Sequence, residues 1–202
     1  MYQEVIFDLE TKSFFDDTGG NDPSELGVSV VSIYKRTLDG NLKESGGTLL
    51  SFWEDDFSNM WPHFQEANRI IGFNSLGFDV PALSPYAPSH FDKLPHFDIL
   101  AKIKEVAGKR ASLDALAKET LGKNKIDEGK NAILYWRRGD PESLEKLQKY
   151  CEADTLITKD IYDHALHKKE LKFKDYWNNQ RVVPLDFSYP KELKQEVQKS
   201  LF

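Results

Sequence analysis

The chain holds a single cysteine, Cys151, among its 202 residues. An internal disulfide is thereby excluded, and so is any zinc site built on cysteines. No apolar run is long enough to span a membrane. The opening residues Met1, Tyr2, Gln3 and Glu4 lack the basic-then-apolar pattern of a secretory leader. A cytoplasmic protein without membrane attachment is the expectation. Excess positive charge is missing too: 27 Lys and Arg stand against 33 Asp and Glu, a net charge of −6 at pH 7. That argues against a general nucleic-acid coat protein. The average hides a division, since residues 1–100 carry 6 Lys and Arg against 16 Asp and Glu, and residues 101–202 carry 21 against 17. An acidic half suited to cations adjoins a modestly basic half suited to phosphate.

Hydrophobic residues make up 40% of the chain and Phe, Tyr and Trp 12%, enough to fill a core or to stack on planar ligands. The length suits one domain, and no composition break marks a second. Strand signals come first, at residues 3–10, at 26–37 and 46–54 around an Asp-Gly-Asn turn, and at 69–75. A short helix is expected over 56–68 and a helical turn at the start of 79–89. A fifth strand at 94–98 enters a helix that stops at Gly108. Residues 112–122 form a helix between Ser112 as N-cap and Gly122 as stop. A loop and a short helix fill 122–140. A long helix runs from Pro141 to about Lys169 with Asp140 as its cap. Two short strands flank Asn178 and Asn179, and a polar helix or tail ends the chain. Hairpin strands followed by alternating strands and helices imply an α/β domain on a mixed sheet.

The run EVIFDLETKS, residues 4–13, sets two carboxylates in a strand otherwise fit for burial. Asp8 and Glu10 are two apart and share one face. Their proximity is costly unless a cation lies between them or the strand end opens to water. Farther on, IIGFNSLGFDVPAL carries Asp79 after a glycine-containing bend. In YCEADTLIT, Tyr150 and Asp154 are four apart and share a helix face. Each feature alone has an ordinary explanation: a chance pair, a turn or capping residue, a solvated helix position. The ordered set of three is far rarer.

FDLET, NSLGFDVPAL and YCEAD together resemble the three motifs of the 3′-to-5′ exonucleases of the DEDD superfamily, in its tyrosine-containing branch. Proofreading domains of family B DNA polymerases and ribonuclease D-like enzymes are similar, and SLDALAKETLGKNK resembles the segment that precedes the third motif. The likeness covers roughly residues 3–168, and a unit of 1–170 followed by a packed hairpin and tail, 171–202, is the expected division. The branch rests on Tyr150, four before Asp154; the histidine branch would carry His where Lys149 stands. The resemblance implies a ribonuclease H-like fold, a central mixed sheet flanked by helices. It also implies Asp8, Glu10, Asp79 and Asp154 as ligands of two divalent ions, Mg²⁺ or Mn²⁺, which favour oxygen donors. A phenol with a pKa near ~10 is a poor base at neutral pH, so Tyr150 would orient the attacking water.

By the same likeness Leu9, Thr11, Asn74 and Phe78 would flank the terminal nucleotide. Single-stranded nucleic acid with a free 3′ end is the implied substrate, DNA favoured over RNA, with replication, repair or helicase proteins as partners. Lys102, Lys104, Lys109, Arg110, Lys123, Lys125, Arg137 and Arg138 are candidates for steering the strand. Asp98 reads as a helix cap, with a carboxylate supporting the ligands from behind as the alternative, and stays outside the ligand set; His164 and His167 read as ordinary helix residues, with weak phosphate contacts as the alternative. Two rivals carry less. A haloacid dehalogenase-type phosphatase needs Asp where Glu10 stands, and a catalytically inactive binding module has no missing carboxylate in its favour.

Overall fold

The opening run Tyr2–Thr11 forms strand β1. Strict alternation is absent there because both faces are covered. Val5, Phe7 and Leu9 enter one buried cluster and Ile6 another. A computed structural model describes residues 1–123, 129–175 and 177–189; Lys125 and the expected terminal helix or tail from residue 190 on lie outside these. The segment after β1, read as loop, includes one helical turn, α1 (Phe15–Thr18), closed by Gly19 at φ 70°. Strands β2 (Val28–Leu38) and β3 (Glu44–Trp53) follow. Asp39 Oδ1 accepts the amides of Asn41 and Lys43 at 2.8 and 2.9 Å and so fixes their turn.

Next come α2 (Phe57–Gln65), β4 (Arg69–Gly72), α3 (Asp79–Leu83), β5 (His96–Asp98) and α4 (Ile99–Ala107). Helix α3 stops well short of residue 89, with Pro85 unable to continue it. Ser112 caps α5 (Leu113–Leu116), which runs into a π-helical turn, Ala117–Leu121. Then α6 (Gly129–Arg138) leads to α7 (Pro141–Lys168), where Asp140 accepts the Ser143 amide at 3.0 Å. Strands β6 (Glu170–Lys174) and β7 (Gln180–Pro184) form a separate hairpin.

Among the described residues the main sheet has the order β3-β2-β1-β4-β5. The β3-β2-β1 part is antiparallel, and β1-β4-β5 is parallel. Residues of α4, α5, α7 and the hairpin bury one face, and α2 and α3 the other. None of the described helices is long and apolar enough to cross a membrane.

The even-numbered face of β1 and the inner face of α7 are matched along their length. Ile6 shares a core cluster with Ile157 and Ile161. Beyond it Glu4, fully buried, accepts from the hydroxyls of Tyr162 at 2.8 Å and Tyr189 at 2.7 Å through Oε1. Its Oε2 accepts from Arg36 Nε at 2.9 Å. Arg36 also reaches Glu44 at 3.1 Å and Asp163 at 2.7 Å. Arg69 donates to the Tyr162 hydroxyl at 2.7 Å and to the Phe187 carbonyl at 2.6 Å, and stacks on Tyr189 at 3.8 Å. The chain after β7 is thereby fastened under the sheet. A buried charge stripped of its partner is expensive, so Glu4→Ala should lower unfolding free energy by roughly 3–5 kcal/mol in urea denaturation. A loss below about 1 kcal/mol would show that this network is not what holds the sheet's lower end.

Candidate active site

At the other end of the same face, β1 delivers Asp8 and Glu10, each half-exposed. The pairing of β1 with β4 stops at Ile6↔Ile71, so these residues stand beyond the sheet's parallel half. The register with β2 slips between Glu10 and Thr11, a bulge that re-aims the strand end. Helix α7 is docked on this spot by two short polar contacts. The Cys151 thiol donates to the Asp8 carbonyl at 3.4 Å, and the Thr155 hydroxyl to the Ser32 carbonyl at 3.3 Å. Asp8 and Ser32 form one rung of the β1–β2 ladder. Two residues flanking Asp154 thus grip the rung that carries Asp8.

The result is a cluster in which one carboxylate oxygen each from Asp8, Glu10 and Asp154 lies within 4.8 Å of the others. Asp154 is buried, 4% exposed. Tyr150, one turn earlier, is buried too, packed with Val30, Ala132, Leu147 and Cys151. Burial first, then the charges of Asp154, Glu10 and Asp8 and a hydrogen bond with Asp154, push its phenol far above the ordinary value. It stays protonated. A Cβ on Gly129 would lie 3.6 Å from the Tyr150 hydroxyl, so α6 begins beside it. Burial likewise raises the Cys151 thiol, with the Asp8 and Glu10 charges adding to it. The donor set is therefore oxygen alone, which fits a hard divalent cation.

Asp79 falls outside that group of three. It opens α3, 5% exposed. Burial pushes its carboxyl up to about 7, and the charge of Asp98 adds to the rise, while backbone amides, that of Leu9 among them, hold it back. Asp98 caps α4 as expected, taking the Ala101 amide at 3.1 Å. It does more than the sequence suggests. Its two oxygens also take the amides of Asn74 at 3.0 Å and Leu76 at 3.1 Å, tethering the loop before Asp79. Gly72 permits that loop to fold back, since a Cβ there would come within 2.5 Å of Ser75 Cβ.

The proposed substrate flank divides. Asn74 sits at φ 62°, a conformation asparagine tolerates, and lines a cavity. Phe78 is half-buried and meets Phe15 edge-on at 6.2 Å. Thr11 is buried with its hydroxyl on the Ser13 carbonyl at 3.2 Å, and the Leu9 side chain is in the core. Among the basic candidates, Lys102 pairs with Glu105 at 2.8 Å and Lys123 with Asp160 at 2.5 Å. Arg137 pairs with Asp17 and lies over Phe14 at 5.1 Å. Lys104 and Arg138 are exposed, Lys109 lies over Trp177, and Arg110 lines the cavity with Asn74. His164 and His167 border a separate hollow with Lys123 and Asp160. Sequence reasoning missed the Trp53–Trp136 stack, centroids 6.4 Å apart, with Lys12 5.2 Å from the Trp136 ring. Its only signal was a lysine directly after the first motif.

A family model of the RNase H superfamily matches residues 5–166. The chain belongs to that superfamily. No curated protein matches the sequence. In structure, the chain is similar to the family B DNA polymerase from the hyperthermophilic archaeon Pyrobaculum calidifontis, with TM-score 0.60 and 20% identity. That match covers 82% of this chain and 25% of the polymerase. The superfamily's α/β fold, a mixed sheet flanked by helices, is the one described above.

The buried Asp79 gives a pH test without metal. The folded protein holds this proton more tightly than the unfolded chain, whose carboxyl titrates near ~3.9. Its contribution to stability is complete below about pH 4 and is lost as pH rises through about 7. Asp79→Asn should flatten that decline in urea titrations with chelator. Identical slopes for the two proteins would refute the burial argument.

Proposed function

We propose that the chain is a metal-dependent 3′-to-5′ exonuclease of the tyrosine-containing DEDD branch, acting on the free 3′ end of single-stranded nucleic acid. The observation that carries this reading is the convergence of Asp8, Glu10 and Asp154 within 4.8 Å, beside a phenol that stays protonated. Superfamily membership supports nuclease-type chemistry. A DNA polymerase as structural neighbour supports DNA over RNA and a setting in replication or repair.

Asp8, Glu10 and Asp154, with Asp79, would hold two divalent ions, Mg²⁺ or Mn²⁺. Such ions, when bound, lower the pKa of a water and offset charge on the departing 3′ oxygen. The chain's own residues do the rest. Tyr150 orients the water by hydrogen bond, because its raised pKa bars it from acting as a base at neutral pH. Asp98 holds the loop that presents Asn74 and Phe78 to the terminal nucleotide, with Leu9 and Thr11 behind it. Residues 1–170 would make up the nuclease unit.

Incubation of 5′-labelled single-stranded DNA and RNA with Mg²⁺ or Mn²⁺ tests the reading. A ladder shortening from the 3′ end is expected, faster for DNA and absent with chelator. Asp8→Ala should abolish it while circular dichroism stays unchanged; inert wild-type protein with titratable metal binding would leave only a binding module. Tyr150→Phe should slow turnover by roughly 10- to 100-fold, the scale of a misplaced reactant. Calorimetric metal affinity should not change, and weakened metal binding would overturn the orienting role.

A further inference from the structure

Trp177 is the most exposed of the large apolar residues described, at 70%. A tryptophan presents a broad apolar face with one polar edge, and such rings are enriched at interfaces. Trp177 lies at the tip of the β6–β7 hairpin, beyond the part matched by the superfamily. Asp175 takes the amides of Trp177 and Asn179 at 3.0 Å each and Arg181 Nε at 2.8 Å. The base is anchored as well: Leu171, Phe173 and Val183 share a core cluster with Ala111 and Leu113. Thr120 and Lys172 exchange hydrogen bonds at 2.8 and 2.9 Å.

Cations connect this ring to the candidate active site. Lys109 Nζ stands 5.7 Å from the Trp177 ring centre. Next in sequence, Arg110 is exposed and enters no ion pair among the described residues; the same holds for Lys104. Arg110 borders a cavity of about 480 Å³ with Phe73, Asn74, Leu100 and Ser112. Asn74 lies in the loop that leads to Asp79 and hangs on Asp98. The loop that leads to Asp79 borders the cavity with Arg110, and the next residue back, Lys109, faces the exposed indole of Trp177.

We propose that these residues line the path of the upstream single strand, with Trp177 as a stacking platform for a base several nucleotides from the 3′ end. Positive charge that follows a backbone, interleaved with aromatic rings, is how single strands are held without regard to sequence. An apolar partner peptide has no use for Lys109 and Arg110, whereas phosphates do. The platform rests on the exonuclease reading for the position of the 3′ end, yet it is a claim about binding.

The test measures binding and hydrolysis separately. Two 5′-fluorescein oligodeoxythymidylates, of about 12 and about 4 nucleotides, bracket the sizes that single-strand sites occupy. Anisotropy titrations in chelator compare wild type, Trp177→Ala, Trp177→Phe and Lys109→Gln. Trp177→Ala should weaken the longer oligonucleotide roughly fivefold or more, the scale of one lost stacked base. The shorter one should be unaffected, Trp177→Phe should restore most of the loss, and Lys109→Gln should weaken the longer one with a shallower salt dependence. Equal affinity of wild type and Trp177→Ala for the longer oligonucleotide overturns the proposal, even if Mn²⁺-dependent shortening proceeds. So does a wild type that binds both lengths equally or neither. Binding that depends on Trp177 and length, without shortening in Mg²⁺ or Mn²⁺, sustains the path and removes the exonuclease.

Discussion

Mutual repulsion among carboxylates is the constraint around which the molecule is organised. Three oxygens within 4.8 Å of one another repel by on the order of 3 kcal/mol per pair at an effective dielectric of about 20. The adjacent thiol and phenol add no charge to this group, since burial holds both neutral. The scaffold must impose the arrangement, and it does so with its most constrained elements. Strand β1 lies in the middle of the sheet with partners on both sides. Helix α7 is pinned by contacts on either side of Asp154. A cluster held this tightly is compatible with a small hard cation, which one that relaxed apart would bind weakly.

The second charged assembly, around Glu4, obeys the opposite rule. There each acid is matched by Arg36 or met by tyrosine hydroxyls, so burial is compensated within the protein. One strand thus carries a charge clasped by Arg36 and two tyrosines at its start and a gathered group of carboxylates at its end, with Ile6 between them. The contrast gives a physical criterion for separating structural acids from functional ones. A buried carboxylate that clasps a guanidinium belongs to the fold, and three carboxylates gathered from separate elements mark a candidate for chemistry.

Much of this was legible in the sequence. Asp8 and Glu10 announce themselves as polar breaks in an apolar strand, and Asp140, Pro141, Ser112, Gly108 and Gly122 bound their helices by local chemistry. Tyr150 and Asp154 follow from helical spacing, although their depth of burial does not. For Tyr150 part of that depth comes from α6, whose Ala132 packs in the same cluster and which had only a weak helical pattern. Contacts between distant positions were the least visible. Asp98 carries the ordinary signature of a cap, and nothing local tells that it also holds amides 22 and 24 residues upstream. No sequence signal singles out Glu4, because its partners Tyr162 and Tyr189 lie more than 150 positions away.

The same helix serves both charged assemblies. Asp154 and Tyr162 are separated by eight positions of α7, a span of about 12 Å and a little over two turns. Inserting or deleting one residue within it would swing one end by about 100° relative to the other. The chain would then have to forfeit either the acidic cluster or the Glu4 clasp. This octet is therefore a ruler whose graduation must stay fixed.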